Sequence, residues 1–355
     1  MDKNKSVHKR IILYITALLG ILLVGVIVVS IFFFQGRLKE TKKLLATAEY
    51  QTYEKYYVMI TENKDTDYWK SIYEGALEEG KRSGVYVELM GNNIEDEISK
   101  EDMIRIAINS NVDGIIIEAD DSYRTINLLR EATEVYGIPV ITVSEDNIES
   151  HRKSYIGVSG YNLGKEYGDL ICQCIREKKY NHCDVMVLID QELSNGNQSM
   201  ISTAIREKVE EEGLSKLVKI DNKVVSSDKE YAAEEEIRDI FLSQSNIPDI
   251  IVCLSEKNTL CVYQTVVDYN KVGEVEIFGY YTSPLIESAI EKKVIRSTIV
   301  ADTAQMGKYS VSALNEYLES GFVSEIYLID TSLVGEDDIS SDSEEGGQDD
   351  DVEDQ

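Results

Sequence analysis

Apolar and polar residues alternate along the chain in a pattern that changes its period repeatedly from residue 56 onward. The run Tyr57–Ile60 is apolar, a polar loop follows it, and apolar residues then recur at i, i+3, i+4 and i+7 between Trp69 and Gly80. The first run has the character of a buried strand, and the second stretch that of an amphipathic helix. Ligands of open α/β sheets bind outside the carboxyl ends of the strands, so the loop Glu62–Trp69 is the first candidate for a functional region.

The same pattern of a strand followed by a helix repeats to residue 329. Further apolar runs predict strands at 85–90, 114–118, 140–143, 184–189, 218–225, 250–254, 275–280, 297–300 and 326–329. Helical spacing predicts helices that start near residues 99, 123, 161, 198, 229, 256, 283 and 303. Repeated βα units with apolar strands are typical of doubly wound parallel sheets. A break in the repeat at residues 144–158 predicts two such sheets, and therefore two lobes.

An uncharged apolar segment precedes this region. The segment Ile11–Phe34 comprises 24 residues, and about 20 residues cross a bilayer. We expect residues 1–10 to form a cytoplasmic leader, 11–34 an uncleaved transmembrane helix and 35–55 a polar helical stalk. A cleaved signal peptide is the alternative, although the run is longer than a signal core and no small-x-small pattern follows it. Basic residues flank both ends, so charge alone does not orient the span.

Composition narrows the range of functions. The 355 residues carry a formal net charge of −29, which argues against nucleic acid as a partner. Five cysteines without a CxxC spacing and only three histidines indicate neither a disulfide framework, nor a zinc site, nor histidine-based catalysis. Because phosphate-binding, dinucleotide-binding and hydrolase motifs are also missing, the sequence indicates no enzyme and no cofactor. Residues 335–355 are strongly acidic with few apolar side chains, and we expect them to form a disordered tail.

Five short motifs follow one another along the chain. They are Asp67-Tyr68-Trp69 with Gly75, Val112–Ile117 (VDGIII), Gly137–Thr142 (GIPVIT), Tyr155–Gly164 (YIGVSGYNLG) and Ile277–Tyr280 (IFGY). In sequence, order and spacing they resemble motifs of the type I periplasmic-binding-protein superfamily, in particular its ribose- and galactose-binding group. The resemblance covers about residues 56–334. The apolar anchor without a lipobox resembles the membrane-anchored members from low-GC Gram-positive bacteria.

The resemblance implies two Rossmann-like lobes with parallel sheets, joined by a three-crossing hinge that closes on a ligand. Lobe one would comprise residues 56–157 and 303–325, and lobe two residues 158–302 and 326–334. The resemblance also implies a single-pass protein of the cell membrane, with a cytoplasmic amino terminus and an extracellular binding domain. Its expected partners are a small, sugar-like ligand and either a membrane permease or a sensor histidine kinase.

The resemblance further indicates which residues contact the ligand, and several of them depart from the family pattern. Tyr68 and Trp69 keep the aromatic faces that stack on a sugar, next to Asp67, although the spacing of Trp69 also suits packing in the core. Ser144 and Glu145 stand where the family has an Asp-Arg pair. The other expected contacts are Glu118, Asp120, Ser159, Ser199, Glu256, Tyr281 and Asp302.

These replacements make the expected cleft acidic and leave it without a matching arginine. Carboxylates that face one another without a cation are unfavourable at low dielectric constant. Three explanations stay open: a cationic ligand such as an amino sugar, a bound Ca²⁺ ion, or an open, wet cleft in a protein–protein module. The sequence therefore predicts a membrane-tethered, extracytoplasmic, non-enzymatic protein that binds a small polar ligand, sugar-like and either neutral or cationic. The alternative is a ligand-free interaction protein with a degenerate binding fold.

Overall fold

A computed structural model describes residues 53–92, 98–191, 195–226, 232–242 and 247–339, which all belong to one compact unit that begins at Tyr53. The predicted leader, membrane span and most of the stalk, together with the tail from residue 340, lie outside these ranges. Within the ranges, no helix combines the length and the apolar character that a bilayer crossing requires.

The first lobe is built on a parallel sheet. Its described strands are β1 (Lys55–Ile60), β2 (Val85–Leu89), β3 (Gly114–Ile117), β4 (Val140–Val143), β5 (Ser154–Gly157) and β11 (Ile326–Leu328). They lie in the order β11-β5-β4-β3-β1-β2. The helices of this lobe are α1 (Asp67–Ser83), α2 (Lys100–Asn109), α3 (Tyr123–Glu134) and α9 (Thr303–Ser320). Strands β3, β4 and β5 are buried along their whole length, as their apolar runs predict for a sheet covered on both faces.

The second lobe repeats this plan. Its described strands are β6 (Cys183–Asp190), β7 (Val218–Val225), β8 (Ile250–Cys253), β9 (Glu276–Tyr280), β10 (Ser297–Ala301) and β12 (Thr331–Val334). They lie in the order β12-β10-β9-β8-β6-β7, and β12 is antiparallel to its neighbour β10. The helices are α4 (Gly160–Lys178), α5 (Asn195–Glu211), α6 (Ala232–Leu242), α7 (Glu256–Asp268) and α8 (Pro284–Glu291).

Within the described residues, the chain passes between the two sheets three times: after β5, after β10 and after β11. The assignment of residues 326–334 to lobe two is therefore wrong for its first part. Helix α9 lies on lobe one. After it the chain forms β11 beside β5, where Ile326 pairs with Tyr155 and Leu328 with Gly157. Only β12 belongs to the second sheet.

Two predicted boundaries also change. Lys55, expected as the last residue of the stalk, is the first residue of β1 and pairs with Val85. Residues 336–339, expected within the disordered tail, form a helical turn that packs on lobe two. There Glu336 forms an ion pair with Lys293, with 2.9 Å between Oε1 and Nζ, and Ile339 contacts the apolar core.

Helix-capping residues place the amino termini of two helices at the carboxyl ends of the strands. The Thr66 hydroxyl accepts a hydrogen bond from the N–H of Trp69 and caps α1. The Ser255 hydroxyl caps α7 by accepting from the N–H of Asn258. These caps satisfy N–H groups that have no partner inside the helix. As a result, the first turns of α1 and α7 present Tyr68 and Glu256 beside the strand ends.

Helices α1 and α9 touch through their backbones. A Cβ atom on Gly75 would lie 2.0 Å from the carbonyl oxygen of Ala304, and one on Gly307 would lie 1.9 Å from that of Ile72. Glycine is therefore required at both positions for the helices to approach this closely. This contact joins the helix after β1 to the helix with which the chain returns from the second lobe.

We predict that Gly75→Ala lowers the free energy of unfolding by about 3 kcal/mol or more, because the added methyl group overlaps backbone atoms that cannot rotate away. Gly84→Ala is the matched control, because Gly84 has a φ of 71° but open space around it. Its cost is expected to be only the backbone strain of about 1–2 kcal/mol. Urea denaturation measures both losses, and equal losses would contradict the backbone contact.

Candidate ligand-binding site

A cavity lies between the two sheets at the carboxyl ends of their strands. It has about 800 Å³ of space between protein atoms, a volume that includes open solvent. Lobe one contributes Asn63, Thr66, Tyr68, Trp69, Glu118, Ser144, Glu145 and Val158, while lobe two contributes Leu163, Asp190, Asn197, Gln198, Ile201, Leu254, Ser255, Glu256, Lys257 and Tyr280. Both lobes therefore supply polar and aromatic side chains to one space.

Half of the predicted site residues line this cavity. They are Tyr68, Trp69, Glu118, Ser144, Glu145 and Glu256. The other predicted residues, Asp67, Asp120, Ser159, Ser199, Tyr281 and Asp302, are not among the lining residues. All six lie outside the cavity lining, and most of them have a structural role in place of the predicted contact with a ligand.

Three of the six belong to helices of the framework. The Ser159 hydroxyl caps α4 by accepting from the N–H of Asn162, and the Asp302 carboxylate caps α9 by accepting from the N–H of Gln305. Ser199 is exposed on α5, while its neighbour Gln198 is buried and lines the cavity.

The remaining three lie at or behind the cavity wall. Asp67 is exposed and pairs with Lys70. Asp120 accepts hydrogen bonds from the Nζ of Lys100 at 2.9 Å and from the N–H of Ser122. Tyr281 has a φ of 68° and supports the wall, with its ring centroid 5.1 Å from that of Tyr68 in an edge-to-face arrangement.

Aromatic side chains form one wall of the cavity. The ring of Tyr68 lies 5.9 Å from that of Tyr280 and 6.1 Å from that of Trp69, measured between centroids. Trp69 is only 2% exposed, so it both packs in the core and borders the cavity. The Tyr68 hydroxyl lies 3.0 Å from the Oγ of Ser144. The wall therefore places three aromatic rings and the hydroxyls of Tyr68 and Ser144 beside the cavity.

Glu118 is held by donors that the protein provides. Its carboxylate accepts hydrogen bonds from the Thr61 hydroxyl at 2.7 Å and from the Asn63 amide at 3.2 Å. Burial raises the pKa of Glu118, while the positive charge of Lys100 and the two hydrogen bonds oppose that rise. Lys100 is itself buried and pairs with Asp120.

Glu145 lies in the same cavity without such donors. Its Oε2 atom is buried, and no described residue forms a hydrogen bond with it. Burial raises the pKa of the Glu145 carboxyl well above its ordinary value, and the negative charges of Glu118 and Asp190 raise it further. The cavity therefore contains a carboxyl group whose ionised form the protein does not stabilise.

Several lining residues were not predicted from the sequence. Gln198 is the clearest case: its amide accepts from the N–H of Asp190 at 2.8 Å and donates to the carbonyl oxygen of Asp190 at 3.0 Å. Asn197 precedes it on α5, and Tyr280 ends β9. Tyr280 could have been predicted as a lining residue, because it belongs to the last sequence motif. The face that α5 turns towards the cavity could not, because its sequence is only weakly amphipathic.

The two lobes touch across the cavity mouth. The N–H of Tyr68, in the first turn of α1, donates to the Glu256 carboxylate at 3.1 Å. The Tyr281 hydroxyl lies 3.4 Å from the carbonyl oxygen of Asp67. Because the Tyr68 N–H has no acceptor within its own helix, Glu256 acts as a cap supplied by the opposite lobe. The structure therefore shows the lobes closed on each other.

Comparison with known proteins agrees with this architecture. The family model of the periplasmic binding protein domain matches residues 57–321. ABC transporter periplasmic-binding protein YphF from Escherichia coli (strain K12) is 21% identical over 259 residues, which cover 68% of this chain and 73% of that protein. GanP, a glucose-galactose binding protein from Geobacillus stearothermophilus, has 21% identity and a TM-score of 0.69 over 80% of this chain and 98% of its own. A chain of the XylFII–LytSN complex has 22% identity and a TM-score of 0.65, over 80% of this chain and 98% of its own.

These matches, together with the two-lobed fold and the cavity between the lobes, define a class of protein. The chain belongs to the periplasmic-binding-protein domain family, within the type I superfamily that the sequence motifs resemble. Members of this family bind small solutes without transforming them, so the chain is a solute-binding protein and not an enzyme.

We predict that Glu145→Gln raises the free energy of unfolding by about 1–2 kcal/mol near neutral pH, because it removes a buried carboxylate that has no partner. The raised pKa of Glu145 means that the folded state binds this proton more tightly than the unfolded state does. The penalty is therefore absent below the ordinary glutamate pKa of about 4.3 and grows as the pH rises above it.

Urea denaturation between about pH 4 and pH 8 measures this difference. The exposed Glu149→Gln, a few residues along the same loop, is the control and should change stability little at any pH. A Glu145→Gln protein that is less stable than the wild type at neutral pH would show that the carboxylate has a stabilising partner.

We predict that Glu256→Ala speeds hydrogen exchange of the Tyr68 amide by roughly tenfold, because a hydrogen bond to a charged acceptor contributes about 1.5 kcal/mol or more. Glu256→Gln keeps a carbonyl acceptor at this position, so the exchange rate of the Tyr68 amide should stay within about threefold of the wild-type rate. Exchange followed by NMR at the Tyr68 N–H measures both variants. Unchanged exchange in Glu256→Ala would mean that the lobes are apart in solution.

Proposed function

We propose that this protein captures a small polar, sugar-like ligand, neutral or cationic, in the cleft between its lobes and presents it at a membrane. The observation that carries the proposal is the cavity itself, which both lobes line with aromatic faces and hydrogen-bonding side chains. A ligand that contacts both lobes stabilises the closed form over the open one, because only the closed form provides both sets of contacts.

The chemistry of the lining fits a ligand with both apolar and hydroxyl surfaces. The rings of Tyr68, Trp69 and Tyr280 offer faces that can pack on C–H groups. Side-chain amides and hydroxyls, including those of Asn63 and Ser255, can donate to and accept from ligand hydroxyl groups. The similarity to a glucose-galactose binding protein supports a sugar-like ligand.

The way in which the bound form acts at the membrane is the second part of the proposal. The apolar segment Ile11–Phe34 is long enough to tether the chain, with the binding domain outside the cell. Tethering raises the effective concentration of the domain near a membrane partner. We propose an ABC permease or a sensor kinase as that partner; similarity to an ABC transporter binding protein supports the first, and similarity to a chain that forms a complex supports direct docking.

We predict that at least one compound from a panel of neutral sugars, amino sugars, amino acids and divalent ions stabilises the full-length chain. A ligand at about 100 times its Kd adds about 2.7 kcal/mol, which raises the Tm by roughly 5 °C. Thermal unfolding measures the shift. The single tryptophan, Trp69, borders the cavity, so its fluorescence provides a second and independent measurement.

Tyr68→Ala should abolish the shift, because it removes the centre of the aromatic wall. Tyr123→Ala is the matched control, since Tyr123 is 78% exposed and does not line the cavity. If no compound changes either the Tm or the fluorescence, the solute-binding proposal fails, and a ligand-free interaction protein becomes the better explanation.

A further inference from the structure

The carboxylates that line the cleft are not equivalent. Glu118 accepts hydrogen bonds from Thr61 and Asn63, and Glu256 accepts one from the N–H of Tyr68. Glu145 is 7% exposed, lines the same cavity, and has an Oε2 atom to which no described residue donates. The site therefore contains a buried acceptor oxygen to which a bound ligand can donate a hydrogen bond.

The charges around Glu145 are predominantly negative. Glu118 from the end of β3, Asp190 from the end of β6, and Asp121 and Asp146 from the neighbouring loops all act on it electrostatically. The negative charge of Glu145 in turn raises the pKa of the Tyr155 and Tyr280 hydroxyls, on top of the larger effect of their burial. These uncharged tyrosine side chains supply no positive charge to offset the negative charges around Glu145.

The described lysine and arginine side chains in this region either pair with other carboxylates or form no ion pair. Lys100 pairs with Glu62 and Asp120, and the guanidinium of Arg152 pairs with Asp146 through two hydrogen bonds of 2.7 Å. Lys257 also lines the cavity, but it forms no ion pair with a described residue and is not among the main influences on the Glu145 carboxyl. Among the described residues, no cation forms an ion pair with Glu145, and a cationic ligand would supply one.

We propose that the ligand is an amino sugar whose protonated amino group pairs with Glu145, so that Glu145 determines the specificity of the cleft. This inference rests on the proposed solute-binding function. A neutral hydroxyl could donate a hydrogen bond to Glu145, but it would bring no positive charge to offset the negative charges that act on this carboxyl group. An ammonium group supplies both the donor and the missing charge, and the aromatic wall fits the sugar ring that carries it.

The pairing links ligand binding to a proton. Burial and the neighbouring carboxylates raise the pKa of Glu145, so the folded, empty site holds this proton more tightly than an exposed glutamate does. An ion pair with the ammonium group requires the ionised carboxylate, so binding favours release of this proton. Affinity should therefore increase with pH until Glu145 ionises freely or the ligand amine loses its own proton.

The test uses three matched pairs of probes on the full-length chain: D-glucosamine with D-glucose, D-galactosamine with D-galactose, and D-mannosamine with D-mannose. Isothermal titration calorimetry in two buffers of different ionisation enthalpy measures both affinity and proton release. We expect at least one amino sugar to bind about tenfold or more tighter than its hydroxyl partner, as expected for a charge-assisted pair, and to release a proton on binding.

Glu145→Gln should bring that pair to within about threefold of each other and abolish the proton release, because glutamine has neither the charge nor the titration. Glu149→Gln, which removes an exposed carboxylate outside the cavity, should keep the preference. Persistence of the preference in Glu145→Gln would overturn the assignment of the ammonium group to Glu145.

Two other outcomes separate this inference from the proposed function. If neutral sugars bind as tightly as or tighter than their amino partners, the amino-sugar inference is overturned and the solute-binding function stands. If none of the six probes binds, the amino-sugar inference is likewise overturned, and the wider ligand panel decides the solute-binding function independently.

Discussion

The backbone contact between α1 and α9 holds the cleft wall in place. Gly75 and Gly307 bring the two helices so close that any side chain at either position would overlap a carbonyl group. Helix α1 carries Tyr68 and Trp69 in its first turn, and α9 brings the chain back from the second lobe. One packing contact therefore joins the helix that carries the aromatic wall to the helix that follows a crossing between the lobes.

Electrostatics distinguishes the carboxylates of this closed cleft from one another. The protein provides donors for Glu118 and an opposite-lobe N–H for Glu256, but it encloses Glu145 among like charges. Burial without a partner costs free energy in the empty protein, and a ligand that supplies the partner regains it on binding. Closure strengthens that pairing because it excludes water. The same carboxylate thus connects the predicted stability of the empty domain and its dependence on pH with the ligand proposed for the cleft.

Most of the framework was predictable from the sequence, because apolar runs and capping residues are local signals. Helix α9 is an example: its predicted start near residue 303 agrees with the observed Thr303, although Asp302, expected to contact the ligand, is its N-cap. The side chains that face the cavity were harder to predict. A shift of one residue on a helix rotates a side chain by about 100°, which separates the exposed Ser199 from the buried Gln198. The pairing of β11 with β5 depends on the position at which α9 ends in the folded protein, and a local sequence pattern does not predict that position.

Glu145 lies in the closed cleft with no ion-pair partner among the described residues, and its titration tests this arrangement most directly. Carbon-13 NMR of glutamate labelled at Cδ follows each carboxyl of the ligand-free protein, and the signal missing from Glu145→Gln identifies Glu145. Titration well above the ordinary glutamate pKa of about 4.3 is the predicted result. Titration at or below that value would contradict this arrangement, because it would show that water or an unrecognised cation stabilises the carboxylate.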